Sequence, residues 1–174
     1  DGKIPADNPF VGQKEAKEAV FSFGHRNPQG MAKHPVSGKI WLHEHGPKGG
    51  DELNIVKKAA NYGWPVITYG IDYDGSTIST LTEKEGMEQP VYYWDPVLSP
   101  SGMTFYTGSE IPEWENNLFI TGLSSTHIAR LEVGRCERAH RHGTELLRLR
   151  REGARIREAV RADVHDDFQN RTAR

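Results

Sequence analysis

The sequence is short of three things: cysteine, net charge and long apolar runs. Cys136 is its one cysteine, so no intramolecular disulfide can form and thiols say nothing about the redox compartment. A formal net charge of -2 over 174 residues gives no reason to expect nucleic acid or an anionic membrane as a partner. No apolar stretch approaches the roughly 20 residues that cross a bilayer, so membrane insertion is not expected either.

Turn residues, in contrast, are abundant. Hydrophobic residues make up 36% of the chain and charged residues 26%, which is typical of a rather polar globular protein. The 18 glycines and 10 prolines indicate many tight turns and favour an all-β architecture over a helical bundle. Four apolar segments framed by turn residues are predicted to be strands, at 39–43, 103–106, 117–121 and 127–133.

The spacing of these strands is typical of a propeller or a sandwich. A turn followed by a strand at 35–43 is echoed at 99–106, and this internal repeat favours a propeller. One segment stays ambiguous, because residues 51–55 alternate like a strand whereas 52–60 would also fit two helical turns.

The character of the sequence changes near Gly134. Residues 135–174 contain eleven arginines and almost no aromatic residues, so we predict two regions, 1–133 and 134–174. The apolar residues of the second region have a spacing closer to that of a helix than of a strand: Leu146, Leu147, Leu149, Ile156 and Val160. We therefore predict an arginine-rich helix over 143–164, followed by a polar tail.

Five motifs, in this order and spacing, resemble one known family. They are Asp1 to Phe10, Gly24 to Gly30, His45-Gly46-Pro47 with Gly50 to Asn54, Asn61 to Pro65, and Ser99 to Met103. The sequence resembles the glucose/sorbosone dehydrogenase family, and most of all its soluble aldose sugar dehydrogenases, which use calcium and pyrroloquinoline quinone (PQQ). The resemblance covers about residues 1–133.

The resemblance implies a six-bladed β-propeller. At roughly 40–45 residues a blade, this chain would hold about three to four blades, a partial propeller followed by an irregular C-terminal segment. The sequence opens at Asp1, shows no signal peptide and reads from its first residue like the middle of a domain. We therefore expect the natural N-terminus, with the family's first blades, to lie upstream.

The resemblance also implies a function. The intact protein would be a quinoprotein oxidoreductase that oxidises an aldose to a lactone and passes electrons to an external acceptor, in the periplasm or outside the cell. The family's general base is a histidine in an earlier blade, so no catalytic residue is expected in this chain, and little turnover is expected from it alone. Two alternatives are a non-catalytic propeller that binds carbohydrate or protein, and an inactive truncated gene product.

The resemblance implies eight cofactor-binding residues. They are Arg26, Asn27, Tyr73, Ser99, Pro100, Ser101, Arg155 and Arg157. A guanidinium group offers paired donors that fit a carboxylate of PQQ, although residue type alone would equally suit a surface arginine in a turn. Arg155 and Arg157 resemble the family's paired-arginine strand, but they also fall in the predicted helix, which we favour. A cofactor-binding lysine of the family is replaced by Ser124 or Ser125.

The implied calcium ligands are Gly46, Pro47, Glu52 and Tyr62. Backbone carbonyl oxygens of Gly46 and Pro47 would hold the catalytic ion, and Glu52 with the carbonyl oxygen of Tyr62 would hold a structural one. The plainer alternative for the last two is a salt-bridged glutamate and a core tyrosine.

Two further patterns could bind metal. His43 and His45 would face one side of a strand, but no third ligand for zinc or copper is evident. Asp72 to Gly75 resembles part of a calcium loop but lacks its other ligand positions.

Overall fold

The structure, a computed structural model, describes residues 2–134 and 146–151. These residues form eight strands and one 3-10 turn, Pro112–Trp114. The strands are β1 Pro28–Lys33, β2 Ile40–Glu44, β3 Asp51–Ile55, β4 Tyr92–Trp94, β5 Pro100–Phe105, β6 Leu118–Gly122, β7 Ile128–Gly134 and β8 Leu146–Arg151. None of the described residues forms a helix with the length and apolarity needed to cross a membrane. The predicted all-β class is confirmed.

The strands form two antiparallel sheets of four, each with its strands in chain order. Sheet I contains β1 to β4 and sheet II contains β5 to β8, and the two approach each other along their first strands, β1 and β5. This is the arrangement of neighbouring propeller blades. Chain length suggested about three to four blades, whereas the described residues form two, because 2–27 and 56–91 are mostly irregular connections.

The predicted helix over 143–164 is wrong where the structure describes it. Residues Leu146–Arg151 are strand β8, which pairs antiparallel with β7 so that Leu149 lies opposite Leu131 and Arg148 opposite Glu132. The sequence here also alternates with period two, and pairing satisfies the backbone groups of an otherwise open sheet edge. Helical spacing over a longer window concealed this alternation. The remainder of the predicted helix, with Arg155 and Arg157, lies outside the described residues.

The apolar core lies between the two sheets. Its buried members are Trp41, Leu53, Trp94, Leu98, Phe105, Leu118, Ile120, Ala129 and Leu131. The rings of Trp41 and Phe105 meet edge to face across the interface, with centroids 5.9 Å apart. Full burial of one such side chain contributes about 1.5–3 kcal/mol, so this core fixes the two sheets relative to each other.

The loops that carry predicted site residues meet at one end of both sheets. Because the strands are antiparallel, the β2–β3 and β4–β5 connections emerge together, with Asp51 opposite Trp94 in the register. Asp51 is 1% exposed and joins the two connections. Its Oδ1 accepts a hydrogen bond from the Gly46 amide at 2.9 Å, and its Oδ2 accepts one from the Ser99 amide at 2.6 Å.

Candidate cofactor and metal site

The loop between β2 and β3, residues 45–50, depends on glycine. A Cβ at Gly46 would lie 2.3 Å from the carbonyl oxygen of Gly49, so no side chain fits there. Gly50 has a φ of +69°, and a Cβ on it would lie 2.6 Å from the Gly70 amide nitrogen. The loop therefore packs its backbone directly against residues 69–70, which brings a distant segment to the site.

A cleft of about 480 Å³ opens beside this loop. It is lined by Gly46, Pro47, Tyr73 and Ser99, four predicted site residues from three separate segments. Tyr73 is 69% exposed, so its ring is available to a ligand. The structure thus brings together predicted metal and predicted cofactor positions.

Arg26 lies on the other side of the loop. Its Nη1 donates to the carbonyl oxygen of His45 at 3.1 Å, and its guanidinium stands over the Trp64 ring at 5.2 Å from the centroid. The Asn27 carbonyl oxygen accepts a hydrogen bond from the His45 amide at 3.0 Å, while the Asn27 side chain accepts one from Gln29. Arg26 and Asn27 therefore border the same loop as the cleft.

Ser99, Pro100 and Ser101 are held from both sheets. The Pro100 carbonyl oxygen lies 2.7 Å from His45 Nε2, and the Ser101 hydroxyl lies 2.7 Å from the Thr121 hydroxyl. Ser99 donates to the Ser124 hydroxyl at 2.9 Å. Ser124, one of the two serines expected at the position of the family's lysine, is thus in contact with Ser99.

The four predicted calcium ligands share a second, narrower recess, which Arg26 also lines. Gly46 and Pro47 are buried, and within the described ranges no donor is hydrogen-bonded to their carbonyl oxygens. The carbonyl oxygen of Tyr62 likewise accepts no hydrogen bond from this part of the chain. Buried carbonyl groups are almost always paired, so these oxygens fit the donor set of a hard cation.

Glu52 is held in a setting that disfavours its charge. Burial raises the pKa of its carboxyl group to about 7, the nearby Glu44 adds to the rise, and a hydrogen bond from Asn54 opposes it. A cation beside this carboxylate would reverse the effect by favouring the ionised form.

Tyr62 offers only its backbone to a metal. Its hydroxyl donates to the Ile55 carbonyl oxygen at 2.6 Å and accepts from the Lys57 amide at 2.9 Å. Burial raises the pKa of the phenol to about 12, so the side chain stays neutral and structural. This agrees with the prediction that Tyr62 binds calcium through its carbonyl oxygen. The residue is also 4% exposed, so the alternative of a core tyrosine describes its side chain equally well.

The two other metal patterns gain no support. His43 is fully buried, and burial, with His45 adding to it, lowers its pKa to about 4, so it is neutral. Residues 2–134 and 146–151 contain no group of three His, Cys, Asp or Glu side chains able to hold a metal ion. Asp74 Oδ1 accepts a hydrogen bond from the Ser76 amide at 2.8 Å, so 72–76 is a turn capped by its own side chains.

Sequence reasoning missed the polar groups beneath the loop. Glu44, Asp51 and Asn54 are 3%, 1% and 1% exposed, yet they were not predicted to have any role. A usable signal exists, because Glu44 ends the apolar strand β2 and residues 52–55 of β3 alternate between polar and apolar.

Paired four-stranded meanders with a cleft at the loop end define a β-propeller protein. The chain belongs to the glucose/sorbosone dehydrogenase family, whose family model matches residues 1–166. This confirms the resemblance drawn from the five motifs.

Relatives agree with this assignment. Aldose sugar dehydrogenase YliI of Escherichia coli strain K12 is 46% identical over 134 residues, which are 76% of this chain and 36% of that protein. A glucose dehydrogenase crystal structure superposes with a TM-score of 0.77 at 45% identity, over 86% of this chain and 42% of that one. A PQQ-bound aldose sugar dehydrogenase from Streptomyces coelicolor gives a TM-score of 0.57 at 25% identity, over 87% and 36%. The chain therefore spans well under half the length of these relatives.

Proposed function

We propose that the chain is part of a periplasmic or secreted quinoprotein oxidoreductase that oxidises an aldose sugar to a lactone with PQQ and calcium. Electrons would pass to an external acceptor. The observation that carries the proposal is the cleft in which Gly46, Pro47, Tyr73 and Ser99 meet. The family resemblance implies a site role for each of these positions, which lie in three separate segments of the sequence, so their convergence supports a shared ligand.

The residues fit the two groups in different ways. The carbonyl oxygens of Gly46 and Pro47, which accept no hydrogen bond from the described residues, suit a hard cation, and so does Glu52 once ionised. Arg26 can offer paired N–H donors to a carboxylate of the cofactor. When bound at these residues, calcium and PQQ would supply an electrophilic hydride acceptor for the oxidation of the sugar.

This chain's own contribution is binding and orientation. Asp51 accepts hydrogen bonds from the Gly46 and Ser99 amides, and it thereby fixes the distance between the two loops that line the cleft. The exposed ring of Tyr73 offers a flat apolar face to a planar cofactor. Ser99 and Ser124 offer hydroxyl groups in place of the cation that the family's lysine supplies, so we expect PQQ to bind more weakly here than in relatives that keep it.

Calcium binding provides the first test. Millimolar calcium should raise the melting temperature of the chain by mass action on the folded state, and Glu52→Ala should abolish the rise. Glu110→Ala is the matched control, because that carboxylate is exposed in the connection between β5 and β6. An equal rise in wild type and Glu52→Ala would refute the calcium assignment.

PQQ binding provides the second test. Addition of PQQ to the calcium-loaded chain should quench tryptophan fluorescence, because Trp64 lies against Arg26 beside the site. Arg26→Ala should weaken this binding, whereas Arg130→Ala should leave the PQQ affinity unchanged because Arg130 lies against Trp114 in sheet II. Calcium binding without any PQQ binding would instead favour a non-catalytic propeller.

A further inference from the structure

Glu44, the last residue of β2, is a buried carboxylate that the proposed function leaves unused. It is 3% exposed, and its two oxygens accept hydrogen bonds from four donors. Oε2 accepts from the backbone amides of Arg26 at 2.6 Å and Asn27 at 3.2 Å. Oε1 accepts from His25 Nδ1 at 2.9 Å and Asn54 Nδ2 at 3.1 Å. A carboxylate this deep is tolerated because these donors replace its water.

The first pair of donors fixes the turn that carries Arg26. One carboxylate oxygen binds two consecutive backbone amides, so the peptide planes on either side of Arg26 cannot rotate without losing a hydrogen bond. The His25 side chain is also fixed. Its Nε2 lies 2.9 Å from the Ser22 hydroxyl, and its ring stacks on the Tyr62 ring with centroids 4.3 Å apart. The base of the Arg26 side chain is thereby fixed before any ligand arrives.

The second feature is a link from Glu44 to the predicted metal ligand. Glu44 and Glu52 lie directly opposite each other in the β2–β3 register. Like charges in that position repel, and Asn54 Nδ2 lies between them, donating to Glu44 at 3.1 Å and to Glu52 at 3.2 Å. Any movement of Glu52 toward a cation therefore changes a hydrogen bond that Glu44 shares.

We propose that Glu44 is a positioning residue that fixes the Arg26–Asn27 turn for the cofactor and couples it, through Asn54, to a cation at Glu52. The inference rests on the proposed function for the identity of the two ligands. Its consequence is that metal and cofactor bind with positive cooperativity, since each ordered end of the network lowers the cost of ordering the other.

The positioning role is tested without any ligand. Glu44→Met keeps the length of the side chain but removes both acceptors, so amide hydrogen exchange at Arg26 and Asn27 should accelerate by about tenfold or more. Glu44→Asp keeps the carboxylate but shortens its reach, and it should give an intermediate rate. Glu110→Met, the matched control in the connection between β5 and β6, should leave both amides unchanged. Unaltered exchange at both amides in the two Glu44 variants would overturn the proposal.

The coupling is tested with calcium alone. In the wild type, saturating calcium should slow exchange at the Arg26 and Asn27 amides by about tenfold. Asn54→Ala removes the shared amide and should abolish this slowing while calcium still binds at Glu52. Equal slowing in Asn54→Ala, or none in the wild type with calcium bound, would overturn the coupling. The Asn54→Ala measurement also tests the coupling if the Glu44→Met variant does not fold.

PQQ affinity separates a positioning role from a direct one. Glu44→Asp should weaken PQQ binding by about tenfold in the wild-type background and by less than about twofold when Arg26 and Asn27 are already alanine. An equal loss in both backgrounds would mean that Glu44 does not act through the turn. If the wild type binds no PQQ, the proposed function fails, while the exchange measurements still decide the role of Glu44.

Discussion

The two four-stranded sheets share one topology but differ in what they bury. Sheet I and its connections bury His34, His43, Glu44, Asp51, Asn54 and Thr68, whereas between residues 95 and 133 the buried polar residues are Asn117 and Arg130. Sheet II contributes Phe105, Leu118, Ile120, Ala129 and Leu131 to the apolar core, and sheet I contributes Trp41, Leu53 and Trp94.

This difference indicates that the two neighbouring blades contribute differently to stability and to ligand binding. Burying carboxylates and imidazoles costs free energy, which hydrogen bonds offset only in part. Among residues 95–133 this cost is small, and the buried apolar side chains of sheet II meet those of sheet I at the interface around Trp41 and Phe105. We therefore expect mutations in sheet II to act on stability and mutations in sheet I to act mainly on ligand binding.

The largest expected effect is on the core of sheet II. Leu118 is fully buried, so Leu118→Ala should lower the free energy of unfolding by about 2–5 kcal/mol in urea titrations, through lost burial and the cavity left behind. The folded fraction should bind calcium with unchanged affinity. Leu123→Ala, at a residue 66% exposed, is the control and should cost less than about 0.5 kcal/mol. A loss of calcium affinity in Leu118→Ala would break the proposed separation between the sheets.

A second effect depends on pH and belongs to sheet I. The pKa of Glu52 is raised from 4.5 to about 7 in the folded protein, so the folded state holds this proton more tightly than the unfolded state. The protonated carboxyl group therefore favours the folded state at low pH. About 3 kcal/mol of this stabilisation is lost as the pH rises from 4.5 to about 7. Without calcium, the stability difference between wild type and Glu52→Gln should change by about this amount and then level off above pH 7.

Calcium should remove that pH dependence, because the ionised carboxylate would then be paired with the cation. Calcium affinity should accordingly increase as pH rises through about 7, since the ion binds the deprotonated group. A stability difference between wild type and Glu52→Gln that stays constant from acid to neutral pH would contradict this account.

A third effect compares glycines from the two sheets. Gly46→Ala places a Cβ 2.3 Å from a backbone oxygen, so the loop must shift, at a cost of about 1–3 kcal/mol, and the calcium-induced rise in melting temperature should disappear. In Gly102→Ala on β5 the nearest atom is the Thr121 hydroxyl oxygen at 3.3 Å, so the calcium response should persist. Equal calcium responses in the two variants would show that the loop does not need its close packing.

The smallest effect is expected at the surface of sheet I. Lys57 and Glu88 form an ion pair at 2.6 Å, with side chains 59% and 32% exposed. Lys57→Ala should cost about 0.2–1 kcal/mol at low salt and less at high salt, because exposed pairs are screened. A larger cost, measured by thermal unfolding at two salt concentrations, would show that polar contacts at the surface also contribute to the stability of sheet I.

The sequence predicted some strands well and others not at all, for identifiable reasons. Segments 117–121 and 127–133 lie within one residue of β6 and β7, because both combine apolar alternation with flanking turns. The ambiguous 51–55 is strand β3, where pairing on both edges decides against a helix. Strand β1 has little apolar pattern, since most of its residues are exposed, and β4 has only three residues.

The candidate site was predicted in the same uneven way. The family resemblance implied roles for Gly46, Pro47, Glu52, Tyr62 and Tyr73, and the structure gathers these residues around one loop. The partners that hold them had no motif. Glu44, Asp51 and Asn54 became visible only when burial and hydrogen bonds were known, because any of the three could equally be a solvated side chain at a strand end.

The sequence by itself determined the all-β class, the family and the loop glycines, because turn chemistry, alternation and close backbone packing are local properties. Tertiary structure decided three other matters: that 146–151 is a strand, that 69–73 reaches the loop after β2, and that Glu44 lies between the Arg26 turn and Glu52. Each depends on a partner distant in the chain. The free energy of strand pairing and of burying a charge depends on contacts with another segment, and the local sequence does not indicate which segment makes those contacts.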